Sequence, residues 1–340
     1  MENKTKNDEK FFSVEDLKIE YTSGGEAIHA VNGVSFELDK GSTIGLVGET
    51  GAGKTSIAKA ILRILPDHAT RAVSGNVFFE GKDLLSLPEH DMRGYRGKSI
   101  SMIFQDPMTA LNPVKTVADQ IVEGLRIHQK LSKHDALKEA VKMLETVGIS
   151  EDRAYEYPHQ FSGGMKQRVV IAIALACKPE LLIADEPTTA LDVTIQAQVL
   201  DLMKNLQKEL GTAMILITHD LGVVADVCES VAVVYAGRIV EYGSKEDIFD
   251  HAAHPYTIGL FGALPDLSKD VRRLSPVEGL PPDPSNLPEG CSFAPRCPYA
   301  TDACKSGTVE MQEISPKHFV RCLRCGENLE DEGGNSHGTA

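Results

Sequence analysis

The stretch Ile44-Gly45-Leu46-Val47-Gly48-Glu49-Thr50-Gly51-Ala52-Gly53-Lys54-Thr55 decides the fold. Ile44, Leu46 and Val47 form an apolar run that reads as a buried strand, and Ser56 to Leu65 carries helical apolar spacing. A glycine-rich turn of the form G-x4-G-K-[ST] between a strand and a helix is a phosphate cradle. Glycines let backbone N–H groups curl around a polyphosphate, and the helix N-terminus adds positive potential. Gly48 through Ser56 therefore form the candidate nucleotide contact. Lys54 reaches for the terminal phosphates, and the Thr55 hydroxyl is placed for Mg²⁺.

Outward from that loop, the bulk numbers set limits. The 340 residues suit one large domain with an appendage, and 42% hydrophobic residues support a real core. A net charge of −14 argues against a general affinity for nucleic acid. The charged start MENKTKNDEK lacks the apolar region of a signal peptide. The longest apolar run, Val169 to Cys177, is about half of the ~20 residues a membrane helix needs. Any membrane role is expected from the cytosolic side, through partners.

Taken in order, residues 1–10 read as disordered. Residues 11–38 alternate like strands of a small antiparallel sheet, turning at Ser23-Gly24-Gly25. Tyr21 lies upstream of the loop, where its ring can stack on adenine or simply half-bury in a strand. Gly75–Glu80 and Ile100–Phe104 are further strand candidates, and Gln105 closes the second at the edge where ligands bind in α/β sheets. From Val117 to Tyr157 helical periodicity takes over, a helical insertion spanning about 108–178.

Phe161-Ser162-Gly163-Gly164-Met165 opens an apolar helix and offers a second anion-binding terminus. The strand Leu181–Ala184 ends in Asp185 and Glu186, two carboxylates that are costly to bury without a cation. Beside a phosphate loop, the first carboxylate suits the Mg²⁺ shell and the second suits activation of a water. Asp192 then starts a helix, and the strand Ala213–Ile217 ends at Thr218-His219, where a histidine can meet a γ-phosphate or act as a cap. Ser230–Tyr235 and Arg238–Tyr242 read as a closing hairpin about Ala236-Gly237, ending a compact unit near His251.

These motifs, in this order, resemble the ATP-binding cassette of ABC transporters over residues 12–250. The resemblance implies an α/β P-loop fold with a RecA-like core, an antiparallel β subdomain and a helical subdomain within residues 11–251. It implies ATP hydrolysis by a head-to-tail cassette dimer. Each ATP would lie between one phosphate loop and the other subunit's Ser162, Gly163 and Gly164. Lys54, Thr55, Gln105 and Asp185 would hold phosphate and Mg²⁺, Glu186 would be the base, His219 would sense the γ-phosphate, and Asp192 would belong to the D-loop. Met165 replaces the commoner glutamine of the signature.

Phe104 to Pro113, Ser162 to Arg168 and His254-Pro255-Tyr256-Thr257 narrow the resemblance to the dipeptide/oligopeptide importers and their nickel relatives. That branch implies a homologous second ATPase, two membrane permeases, an extracellular solute-binding protein and a peripheral place on the cytoplasmic face of the membrane. Another solute, such as a nickel chelate or an oligosaccharide, is the alternative. A soluble ABC ATPase acting on nucleic acid or ribosomes is disfavoured by the single cassette and the acidic balance.

The residues 252–326 carry a Cys-rich extension, joined by a Pro276–Pro288 link that reads as extended rather than packed. Five of the seven cysteines gather there: Cys291, Cys297, Cys304, Cys322 and Cys325. Only Cys322-x2-Cys325 has zinc-knuckle spacing, and thiolates suit zinc or iron alike. The run also resembles importer tails that carry a [4Fe–4S] cluster, which implies Cys291, Cys297, Cys304 and Cys322 as ligands, with Cys325 as a possible substitute. Such a tail would be structural, or would gate the ATPase as a metal-sensing module. Cys177 and Cys228 read as core residues, and 327–340 as a disordered tail.

Overall fold

The structure is a computed structural model and describes residues 10–189, 191–262 and 277–325. The expectations for 1–9 and 327–340 lie outside those residues. Among the described residues twelve strands form two sheets. In chain order they are β1 (Phe12–Ser23), β2 (Glu26–Leu38), β3 (Thr43–Val47), β4 (Thr70–Phe79), β5 (Lys82–Asp83), β6 (Ile100–Ile103), β7 (Leu181–Asp185), β8 (Ala213–Thr218), β9 (Ser230–Tyr235), β10 (Arg238–Ser244), β11 (Gln312–Ser315) and β12 (His318–Val320). The smaller sheet has the order β2-β1-β4-β5 and is antiparallel throughout. The larger has the order β11-β12-β10-β9-β3-β8-β7-β6. From β9 to β6 its neighbours run parallel.

The parallel strands are apolar nearly end to end because both faces are covered. Alternation divides them between two cores. Ile183, Ile215 and Ile217 pack with the small sheet and the helix Lys54–Ile61. Leu182, Ala184, Met214 and Leu216 face the other way, with residues of the helical insertion. The phosphate loop leaves the C-terminal end of β3, with β8 on one side and β9 on the other. This is the crevice where open α/β sheets take ligands.

The insertion holds helices Val117–Gln129 and Lys133–Thr146, capped by Thr116 and Ser132, whose hydroxyls accept from the N–H groups of Asp119 and Asp135. These T-x-x-D and S-x-x-D starts are capping signals, and they fix where each helix begins. The β9–β10 turn is the two-residue type favoured by right-handed twist, with Ala236 at φ 47° and Gly237 at φ 75°.

Two expectations for the C-terminal part change. The β9–β10 hairpin does not close the sheet: β12 pairs antiparallel to β10, Glu241 opposite Val320 and Tyr242 opposite Phe319. The link is also not free of packing, since the Pro284 carbonyl accepts from the N–H of His29 in β2 at 2.8 Å. Alternating β-residues on so short a pair as β11–β12 are hard to separate from loop in the sequence.

Candidate functional site

The phosphate loop is held by backbone constraints that only glycine meets. Gly48 has φ 149°, and a Cβ there would lie 2.1 Å from the Val234 carbonyl oxygen. Gly53, at φ 100°, would meet the Ala30 carbonyl oxygen at 2.4 Å. The loop is thus wedged between β2 and β9. Lys54 turns back over it and donates through Nζ to the carbonyls of Gly48 (2.7 Å) and Glu49 (3.0 Å). Burial lowers its pKa, opposed by the carboxylates of Glu186, Asp185 and Glu49.

Beside the loop, the Thr55 hydroxyl donates to Asp185 Oδ1 at 3.1 Å. Asp185 is 2% exposed, and burial raises its pKa against the opposing bond from Thr55. A hydroxyl and a buried, electrostatically uncomfortable carboxylate form the hard-oxygen pair that suits Mg²⁺.

Glu186 follows at φ 47°, left-handed backbone that a non-glycine residue adopts at a cost of ~1–3 kcal/mol. Its N–H donates to the Ile217 carbonyl at 2.8 Å, which holds the turn. The turn aims the carboxylate at three groups. Gln105 Nε2 and the Thr189 hydroxyl donate to Oε2, both at 2.9 Å, and His219 Nδ1 lies 3.4 Å from Oε1. Burial works to raise the Glu186 pKa, but the bonds from Thr189 and His219 and the charge of Lys54 hold it below the usual range. His219 is 64% exposed and free to turn toward a ligand.

Gln105 therefore sits with Glu186 here rather than with Thr55 and Asp185, the pair it was expected to join. Tyr21 reaches the same helix by another route, its hydroxyl donating to Ser56 Oγ at 3.0 Å.

The signature lies elsewhere on the surface. Ser162 caps the helix Gly163–Leu175, and its exposed hydroxyl accepts from the N–H of Met165. Met165 packs where its sulfur accepts from Arg153 Nη1 at 3.1 Å. Gly164 faces Ile195, just inside the helix Val193–Leu210 that Asp192 starts. Signature and Asp192 are thus neighbours. Among the described residues their hydrogen bonds and close contacts run to Met165, Arg153, Leu191 and Ile195.

The C-terminal segment carries residues whose roles sequence reading missed. Glu49 is turned away from the loop: its carboxylate accepts from Arg296 Nη1 at 2.9 Å and Nη2 at 3.1 Å. Its N–H donates to the hydroxyl of Tyr256 at 3.0 Å. Glu241, fully buried, accepts from the N–H groups of Ala253 (2.8 Å) and His254 (3.0 Å) and bonds His318 Nε2 at 2.9 Å. An acid within a strand of alternating residues carries no signal of its own. Only a buried partner such as His318, 77 positions away, gives it meaning.

Burial lowers the His254 pKa to about 4, against the pull of Glu241. The folded value lies below an ordinary ~6.5, so neutral His254 stabilises the fold above that pH. This contribution is lost as pH falls from about 6.5 toward 4, by at most about 3 kcal/mol. Thermal unfolding across that window should show the loss, and His254→Gln should flatten the slope. An unchanged slope would remove His254 as its source.

Cys291, Cys297, Cys304 and Cys322 line one open pocket together with His254 and Phe293. Cys325 is not among its lining residues, and its Sγ approaches Gln312 instead. Burial raises the pKa of Cys291 and Cys297, and takes that of Cys322 to about 11. Among the described residues no group of three or more His, Cys, Asp or Glu side chains is arranged to hold a metal ion. Cys228 is in the core as expected, with Cys177 packed against it.

Comparison with known proteins agrees with this geometry. A family model for ABC transporters matches residues 31–189, and one for the oligopeptide/dipeptide transporter C-terminal region matches residues 240–304. The chain is 51% identical to a dipeptide transport ATP-binding protein, DppD, of Bacillus subtilis, over 92% of this chain and 94% of that protein. It is 46% identical to the oligopeptide transport ATP-binding protein OppD of Escherichia coli, over 93% and 94%. Among solved structures it is similar to the ATP-binding cassette MJ0796, determined as a dimer bound to ADP and Pi. That match has a TM-score of 0.62 at 26% identity and covers 69% of this chain and 98% of that one. CbiO1 of Clostridium perfringens, part of an ABC transporter complex, gives 0.60 at 30% identity, over 71% and 91%.

Proposed function

This chain belongs to the ATP-binding proteins of dipeptide and oligopeptide ABC transporters, an ATP-hydrolysing cassette, and from that premise we propose that it energises peptide import across the cytoplasmic membrane. The single observation that carries the catalytic half is the convergence of Gln105, Thr189 and His219 on the Glu186 carboxylate, one residue beyond the Asp185–Thr55 pair.

In this reading ATP lies along Gly48–Ser56, with Tyr21 beside the base. Thr55 and Asp185 would hold Mg²⁺, and Gln105, bonded to Glu186 here, would be the further oxygen donor to it. Bound Mg²⁺ supplies charge neutralisation on the phosphates. Lys54 leaves its own loop carbonyls for the terminal phosphates. Glu186, kept ionised by its neighbours, accepts the proton of the attacking water. Ser162, Gly163, Gly164 and Asp192 act on the nucleotide of a second, homologous ATPase. The likeness to a cassette determined as a dimer supports a head-to-tail pair.

Two permeases and an extracellular solute-binding protein complete the proposed complex. No described helix is long and apolar enough to cross a membrane. We place the chain peripherally, on the cytoplasmic face. Labelled-peptide uptake tests the solute. A strain lacking the chromosomal copy should regain dipeptide or oligopeptide uptake with the wild-type chain and not with Glu186→Gln. Restored uptake of a nickel chelate or oligosaccharide alone would transfer the ATPase to another solute.

For the extension, the gathering of four thiols around one pocket supports a [4Fe–4S] cluster on Cys291, Cys297, Cys304 and Cys322. Burial raises the pKa of Cys291, Cys297 and Cys322, so these thiols stay protonated unless a cation compensates the thiolates. Anaerobically purified protein should then contain about four irons and four sulfides per chain. One zinc without iron would recast the tail as a zinc fold, and no metal would leave a thiol-lined pocket.

A further inference from the structure

Arg296 is unusual for a residue outside the cassette core. Its side chain is only 5% exposed, yet it makes a two-pronged ion pair with Glu49, inside the phosphate loop and 247 positions away. Its remaining donors are also spent: Nε on the Glu278 carbonyl, Nη2 on that of Val277, and Nη1 on the Tyr235 hydroxyl. It stands against the rings of Tyr235 and Phe293 at 5.7 and 5.9 Å. Tyr235, Tyr256 and Phe293 pack mutually, with centroids 4.5 to 5.4 Å apart. The Tyr256 hydroxyl takes the Glu49 N–H. Both the backbone and the side chain of Glu49 are therefore gripped by the C-terminal segment.

The charge arithmetic gives this grip a consequence. Glu49 follows the first loop glycine, and its carboxylate acts on Lys54 through space. A bare carboxylate there would oppose a polyphosphate. We propose that Arg296 is a positioning residue for the phosphate loop: it holds the Glu49 carboxylate away from the loop and cancels its charge, so the C-terminal segment sets the affinity of the nucleotide site. Tyr256 fixes the same residue through its backbone. The inference rests on the nucleotide reading of the loop given above, and goes beyond it by assigning a part of that site to the extension.

The test is binding of ATP to the purified full chain, by calorimetry with MgATP, alongside steady-state kinetics in the assembled transporter. Arg296→Gln should raise Kd by about tenfold, for one uncompensated charge near the phosphates at an effective dielectric of ~20. It should raise KM in parallel, with kcat at saturating ATP changed by less than about twofold. Arg296→Lys keeps the charge but not the two-pronged geometry, and should fall between.

Glu49→Gln alone, which keeps the loop N–H groups, is measured as the reference for the pair. Glu49→Gln combined with Arg296→Gln should recover most of the lost affinity. A merely structural Arg296 predicts the opposite, since removing both partners cannot repair a damaged loop. Wild-type affinity in a folded Arg296→Gln, or a double variant no tighter than that single one, overturns the proposal. If Arg296→Gln does not fold, Arg296→Lys decides, with a Kd equal to wild type counting against it. Failure of the wild-type chain to bind MgATP is a distinct result and would sink the nucleotide reading itself.

Discussion

Glu186→Gln is expected to lower ATP turnover by about 10²- to 10⁴-fold while leaving MgATP binding intact, the range that loss of a positioned general base usually costs. The substitution changes little else. A glutamine at φ 47° keeps the backbone bond to Ile217, and its amide oxygen still accepts from Thr189. What disappears is the carboxylate that takes the proton of the water at that point of the strand edge. Asp185 cannot replace it, because it is buried and bonded to Thr55.

Binding without turnover should also lengthen the life of the closed pair, visible as co-elution with the second ATPase when both are mixed with MgATP on size exclusion. The pH profile carries a second sign. Thr189, His219 and Lys54 hold the Glu186 carboxyl below the usual range despite burial, so the wild-type acidic limb of kcat should lie below that of an ordinary glutamate. A Glu186→Gln enzyme within tenfold of wild type would remove Glu186 from the role of base.

Most of this site is legible in the sequence because its parts sit at the ends of strands with a strong periodic signal. β3, β7 and β8 are apolar along most of their length, and at or just past their C-terminal ends stand Gly48, Asp185-Glu186 and His219. A motif at the mouth of a buried strand has its position fixed by the strand. Gln105 was placed by the same logic at the end of β6, but its partner was not, since a long amide can swing between Glu186 and a metal site.

Contacts made by the C-terminal segment were illegible for a different reason. Arg296 and Glu49 lie 247 positions apart, and neither residue type announces a partner. The proline-rich stretch around Pro284 reads as an extended link, but it turns there, the Asn286 N–H donating to the Asp283 carbonyl at 3.0 Å, and the bond from His29 makes it part of the structure. Composition does not say whether a stretch of backbone finds a neighbour. The hairpin of β11 and β12 shows the same limit: its few residues have no periodicity to detect, and only β10 beside it makes it a strand pair.

That hairpin leads to the second large effect, on stability. Glu241→Ala should destabilise the protein by about 3–5 kcal/mol, the usual cost of removing one partner of a buried charged network. Glu241 is fully buried and its two oxygens serve three groups: the N–H of Ala253, the N–H of His254 and the ring of His318. Alanine leaves all three without acceptor in a site closed to water. His318 is also nearly buried, and Asp247 lies 4.0 Å from its Nδ1, too far to take over the Nε2 bond.

The damage should be local before it is global. Glu241 lies opposite Val320 in the β10–β12 ladder, and its acceptors hold the turn into the helix Pro255–Gly262. Hydrogen exchange in Gln312–Val320 and at Ala253 and His254 should therefore accelerate more than exchange in β3 or β8, whose bonds do not involve this cluster. Because Tyr256 grips Glu49 from that same helix, loosening it should also weaken MgATP binding, whereas a core cavity in the helical insertion of equal cost should not. Glu241→Gln keeps one acceptor oxygen and should lose less than Glu241→Ala. A Glu241→Ala protein within about 1 kcal/mol of wild type in denaturant would mean that water or a neighbour satisfies these groups. The anchor of the extension would then lie in the aromatic packing of Tyr235, Tyr256 and Phe293 instead.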